Sequence, residues 1–149
     1  MRRREFISLL GGAVAVWPAS VRAQQTPGGV PRVGFVYPGS KEAAASRIEA
    51  IMSGLRVSGY APPAQVELVA RIADGDPTRI APLVEEILAK NVELIIANGP
   101  PVLHVARSVT RTIPIVAIDL ETDPVASGVA TSLARPGGNI TGVFLDFPD

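Results

Sequence analysis

Three apolar runs in this chain end on residues able to hold a small charged molecule. Arg32 to Tyr37 (RVGFVY) runs into Pro38-Gly39-Ser40, Val92 to Ala97 into Asn98-Gly99-Pro100-Pro101, and Ile113 to Asp119 (IPIVAID) into Leu120-Glu121-Thr122-Asp123-Pro124. Tyr37 offers an aromatic face for stacking, and Ser40, at a helix start with free N–H groups, can receive a carboxylate. Asn98 both donates and accepts, Gly99 permits a sharp turn, and Asp119 or Asp123 can pair an ammonium. Together they suit an amino acid or another small zwitterion. Each has a structural alternative: Tyr37 as core, Ser40 as the cap of its own helix, Asn98 and Asp123 as turn formers, and Asp119 as the cap of the next segment.

Other chemistry finds little support. The chain has 149 residues, is 47% hydrophobic and is formally neutral, which bounds it at one globular domain with no charge excess aimed at nucleic acid. It has no cysteine, so disulfides, thiolate metal sites and cysteine nucleophiles are excluded. The single histidine, His104, sits on an apolar helix and reads as a helical residue rather than a base. Glu85 and Glu86 are adjacent and point in different directions, as a solvated helix surface does. No catalytic residue, metal or cofactor is therefore assigned. The alternatives are an α/β nucleotide-binding enzyme, exported or cytoplasmic, and a regulator's effector lobe. The first lacks the GxGxxG spacing that brings backbone close to a pyrophosphate, and the second lacks a DNA-binding helix pair.

The elements that must position those residues alternate. After the strand at Arg32 to Tyr37, Ser40 caps a helix in which Ala44, Ile48, Ile51, Met52 and Leu55 recur at helical spacing, and Gly59 stops it. Gln65 to Ile72 (QVELVARI) alternates as a second strand and Asp74-Gly75-Asp76-Pro77 turns the chain. A second helix, capped at Thr78 with Pro82 as its fourth residue, buries Ile80, Leu83, Val84, Ile87 and Leu88 and closes at Asn91. The run at Val92 to Ala97 is a strand covered on both faces, and Val102, Leu103, Val105 and Ala106 supply the inner face of a third helix. Beyond the strand at Ile113 to Asp119, Ala134-Arg135-Pro136-Gly137-Gly138-Asn139 is a turn signal and Ile140 to Phe147 (ITGVFLDF) a further strand. Strand and helix in this order imply a parallel sheet with right-handed crossovers.

The first residues belong to a different class. Arg2, Arg3 and Arg4 open a basic start, Leu9 to Trp17 is a short apolar core, and Val21-Arg22-Ala23 places small residues where a signal peptidase reads. Residues 1–23 are thus expected to be an export signal cut after Ala23, and 24–31 a linker. Arg3-Arg4-Glu5-Phe6-Ile7 resembles the twin-arginine motif, with Arg2 and Ser8 departing from its flanks, so the general secretory route stays open. At the other end, an apolar strand followed at once by Pro148-Asp149 reads as a lobe boundary.

The export segment, the run TIPIVAIDLETDPVASG and above all SLARPGGNITGV resemble the ABC-transporter substrate-binding proteins of the type I periplasmic fold, the group that includes tryptophan and tyrosine binders. The likeness covers essentially the whole chain. It implies a three-layer, flavodoxin-like parallel sheet over residues 32–149, forming the first of two lobes that close on a ligand, with the chain ending before the second. It also implies a periplasmic, non-enzymatic protein that works with an ABC permease and ATPase and meets the membrane only through the permease. By position, Tyr37 to Ser40, Asn98 to Pro101 and Asp119 to Asp123 match the family's ligand-facing loops. Where family members often carry threonine or serine after the loop glycine, this chain has Pro100 and Pro101.

Overall fold

Alternating apolar runs and amphipathic segments assemble into a five-stranded parallel sheet of order β2-β1-β3-β4-β5. The computed structural model describes residues 29–120 and 123–144, so the expected export signal and most of the expected linker lie outside the described residues. The elements are β1 (Arg32–Tyr37), α1 (Lys41–Val57), β2 (Glu67–Ile72), α2 (Ile80–Leu88), β3 (Leu94–Asn98), α3 (Gly99–Val109), β4 (Ile115–Leu120) and β5 (Ile140–Phe144). All four strand pairings are parallel. The expected α/β class and parallel sheet are present.

Two faces of the sheet are treated differently. Val36, Val69, Ile95, Ala97, Ile115 and Ala117 point to one face and form a single core with Ile80, Leu83, Val84 and Ile87 of α2 and Val102, Leu103 and Ala106 of α3. Gly34 lets α2 approach on this side, since a Cβ there would meet Ile87 Cδ1 at 2.7 Å. Phe35 is fully buried on the opposite face, where α1 lies against β2. Only Ala44 of α1 is buried, and the apolar row Ile48, Ile51, Met52 and Leu55 is half-buried.

The helix ends follow local chemistry. Ser40 Oγ accepts the Ala43 N–H at 3.3 Å, and α1 stops at Gly59 (φ 89°), where Tyr60 N–H donates to Leu55 O and Gly59 N–H to Arg56 O. This pair of bonds is the Schellman arrangement, and it needs the left-handed backbone that glycine tolerates. At α2 the expectation changes. Asp76, not Thr78, is the capping residue: its Oδ1 accepts both the Thr78 N–H (2.9 Å) and the Thr78 hydroxyl (2.6 Å), and a 3₁₀ turn over Pro77–Arg79 precedes the helix. Those two bonds hold the Asp76 carboxyl below the usual carboxylate range. Pro82 is then the third residue of α2, still within the first turn where no N–H partner is lost.

Strand limits shift by one or two residues for similar reasons. β2 starts at Glu67 because Gln65 closes a turn, its Oε1 accepting the Ala61 N–H at 2.9 Å and its own N–H donating to Ala61 O. β3 ends on Asn98, with no loop between it and α3. Gly99 (φ 77°) turns the chain in one residue and the prolines open the helix, where the missing N–H groups are harmless. β5 is described to Phe144; residues 145–147 of the expected strand lie outside the described residues. The turn before it is held by Thr131, whose Oγ1 donates to Arg135 O at 2.7 Å, and by Asn139, whose Nδ2 donates to Ile113 O at 2.7 Å.

Candidate functional site

Because every strand runs the same way, Tyr37, Ile72, Asn98 and Leu120 all end at one edge of the sheet. β1 is followed by α1, which leads outward to β2 on one face, while β3 is followed by α3, which leads the other way on the opposite face. Neighbouring β1 and β3 therefore part their connections, and a crevice opens between them where ligands bind in open α/β sheets. Ser40 at the head of α1 and Asn98-Gly99 at the head of α3 flank it.

The β1 wall is tied to the chain beside it. The chain leaving β2 is bonded back to it: Ala73 N–H donates to Tyr37 O (2.8 Å), Gly75 N–H to Pro38 O (2.9 Å) and Asp74 N–H to Gly39 O (3.1 Å). Tyr37 is half-buried, its ring stacked beside Phe35 at 6.2 Å between centroids, and Arg47 places its guanidinium carbon 5.2 Å from the ring centroid. Ser40 Oγ is engaged at its own helix, and the Lys41 N–H of the same turn donates to Asp74 Oδ1 at 3.3 Å. Lys41 Nζ lies 3.9 Å from Asp74 Oδ2. Asp74 was not singled out from the sequence. Its φ of 60° is a conformation aspartate tolerates better than most residues, and the Asp-Gly pair in DGDP was the signal that could have marked it. An anion approaching α1 meets this carboxylate already seated there.

The β3 wall differs. Asn98 is 4% exposed, aligned with Ile118 of β4, and makes no side-chain cap to α3. Among the described residues the other buried polar side chain is Thr110, which is spent on a turn, accepting the Ile113 N–H at 3.1 Å. Pro100 and Pro101 remove two donors from the first turn of α3, so this helix start has little to offer an anion. The register Val36↔Ala97 sets Tyr37 beside Asn98 at the ends of adjacent strands.

The third loop is partly described. Asp119 lies in β4, one residue before its end, and its side chain is outside the described residues, as are residues 121–122. Asp123 is exposed and organises the following turn, Oδ1 accepting Val125 N–H at 2.7 Å and Ala126 N–H at 3.4 Å. The structure thus brings Tyr37, Ser40, Asn98 and Gly99 to one crevice, adds Asp74, and places Asp123 on the loop beyond β4.

Comparison with known proteins gives a consistent assignment. A family model described as ABC transporter substrate binding protein matches residues 32–147. The tyrosine-binding protein of Clostridioides difficile (strain R20291) is 29% identical over 91 residues, which is 61% of this chain and 26% of that protein. Among solved structures, the ABC domain in complex with L-Trp from Streptococcus pneumonia matches with a TM-score of 0.68 at 24% identity, covering 78% of this chain and 39% of its own. A ligand-free, open substrate-binding protein with adhesive properties from Clostridium difficile matches with a TM-score of 0.67 at 23% identity, covering 76% and 38%. At such identities the structural likeness carries the fold alone. The chain spans about a quarter of the curated relative's length, by the 26% above.

Proposed function

The chain belongs to the ABC transporter substrate-binding protein family, and from that premise we propose that it forms one wall of an extracytoplasmic solute receptor whose ligand is an amino acid. The observation that carries this reading is the buried Asn98 amide at the crevice between β1 and β3, beside Tyr37. An aromatic ring next to an amide that both donates and accepts matches the side chain and carboxylate of an aromatic amino acid. Asp119 in β4 and Asp123 on the loop beyond it are the candidates for the ammonium. The relatives named for tyrosine and L-Trp support this ligand class. Delivery to an ABC permease and its ATPase follows from the family. Export by the twin-arginine or secretory route, with cleavage after Ala23, rests on Arg3-Arg4 and Val21-Arg22-Ala23.

The test is to titrate L-tryptophan and L-tyrosine into the isotope-labelled protein and follow backbone amide shifts. The reading expects the perturbed amides to cluster at residues 37–40, 98–102 and 119–123, and Asn98→Ala to abolish them. Perturbation confined to the opposite edge of the sheet, or none with either amino acid, would refute it.

A further inference from the structure

We propose that this chain pairs with a second copy of itself along the free edge of β2, in one antiparallel register centred on Val69. β2 is an outer strand, six residues long, paired to β1 without a bulge and containing no proline. Natural edges are commonly blunted by a bulge, a proline or a covering element, because an open row of N–H and C=O groups invites another strand. An open trough of about 700 Å³, lined by Arg32, Glu67 to Arg71 and Ala89 to Asn91, lies along the strand on its α2 side.

The hydrogen bonds already made decide which groups are left for a partner. Glu67 N–H donates to Pro31 O at 2.9 Å and Ala73 N–H to Tyr37 O at 2.8 Å, so the odd-numbered residues of β2 face β1. The backbone groups of Leu68, Ala70 and Ile72 then point to the open edge. With a two-fold axis at Val69, Leu68 of one copy meets Ala70 of the other as a hydrogen-bonded pair. Glu67 meets Arg71 as a non-hydrogen-bonded pair, the kind in which side chains come closest. Moving the axis to Leu68 or Ala70 sets Glu67 against Val69 or Ala73 and parts the charges. The outward-facing backbone groups admit all three axes, and the side-chain charges select the one at Val69.

The charges form a continuous line. Glu67 Oε2 lies 2.8 Å from Arg32 Nε, and Arg71 Nε lies 2.8 Å from Glu86 Oε2, all on the α2 side of the sheet. Across the axis the order becomes Arg32, Glu67, Arg71, Glu86, alternating in sign, and the two-fold repeats it. Such an interface is isologous and closes on itself, so it yields a dimer rather than a fibre. It also leaves the crevice between β1 and β3 free, and it holds whether or not the ligand reading does.

Sedimentation velocity of the full 149-residue chain, across a concentration series, reads the association. The wild type is expected to dimerise, and Glu67→Arg or Arg71→Glu alone, which set like charges across the axis, to raise the dissociation constant by at least about tenfold, or about 1.4 kcal/mol. The double variant Glu67→Arg/Arg71→Glu restores opposite pairs and the dimer. An equimolar mixture of the two single variants also associates, because every cross-axis pair in that heterodimer is attractive, and this recovery shows both chains folded. A monomer throughout the series would overturn the proposal. So would a dimer indifferent to the single reversals, or one that neither the double variant nor the mixture restores.

Discussion

Gly142 and Gly54 show how one substitution takes opposite signs in this chain. In β5, a Cβ on Gly142 would overlap the carbonyl oxygen of Ala117, a backbone atom of the neighbouring strand that cannot turn aside. The pairing of β4 with β5 slips register just beyond Ala117, so the two backbones lean together where the glycine sits. Gly142 belongs to the NITGV motif, and its type follows from this contact. Gly142→Ala is therefore expected to destabilise by about 1–3 kcal/mol, the usual penalty of overpacking. Gly54 lies in α1, exposed, with nothing within 4 Å of a Cβ. Gly54→Ala should stabilise by about 0.5–1 kcal/mol through helix propensity and a less flexible unfolded chain. Urea midpoints at unchanged slope measure both, and equal shifts in one direction would contradict the packing described.

Among the helices, α2 and α3 carry the core, and α1 does not. The sheet face toward α1 leaves Ile96, Val116 and Ile118 half-buried, so the apolar row of α1 packs at the margin of that face rather than under cover. Ile87 of α2, by contrast, is fully buried against Gly34. Ile87→Ala is expected to cost about 2–5 kcal/mol, and Leu55→Ala less than half of that, because half-exposed apolar area contributes in proportion to what is removed from water. Leu55→Asp, which in a sealed core would strand an unpaired charge, should here be tolerated to within about 1–2 kcal/mol, since water reaches the site. Chemical denaturation of the three variants checks the order. A Leu55→Asp loss as large as that of Ile87→Ala would show that α1 is sealed.

For the whole molecule, the relation between one wall and a complete site sets the affinity. The structural relatives are more than twice the length of the matched region, by the 39% and 38% coverage of their chains. If the ligand is held between two walls, the region described here supplies roughly half of the contacts while the loss of translational and rotational freedom on binding is nearly undiminished. Each lost 1.4 kcal/mol weakens binding about tenfold. Calorimetry on the 149-residue chain is therefore expected to give millimolar or weaker binding of an amino acid. Micromolar binding would mean that this region, alone or as the β2-paired dimer, holds a complete site.

What the sequence determined by itself was the succession of elements, because each is specified by neighbours within a few residues. The Ser40 cap, the Gly59 stop, the alternation in RVGFVY and the helical spacing of Ile80, Leu83, Val84 and Ile87 all act over one or two turns. The family was legible too, through SLARPGGNITGV, whose turn and strand residues answer to local and neighbouring-strand backbone. Limits within one or two residues were not. Pro100 and Pro101 open α3 directly after β3 with no loop between, and Asp76 rather than Thr78 is the cap because it accepts both Thr78 hydrogens. Only the tertiary structure decided the strand order β2-β1-β3-β4-β5, and with it the crevice between β1 and β3 and the open edge of β2. It alone brought Asp74 to the head of α1, 33 residues away along the chain. It also set Arg47 over Tyr37 and left one sheet face half covered. The reason is range: caps and periodicity are set by adjacent residues, whereas strand order and the partners of a polar side chain depend on which distant segments bury their apolar faces together.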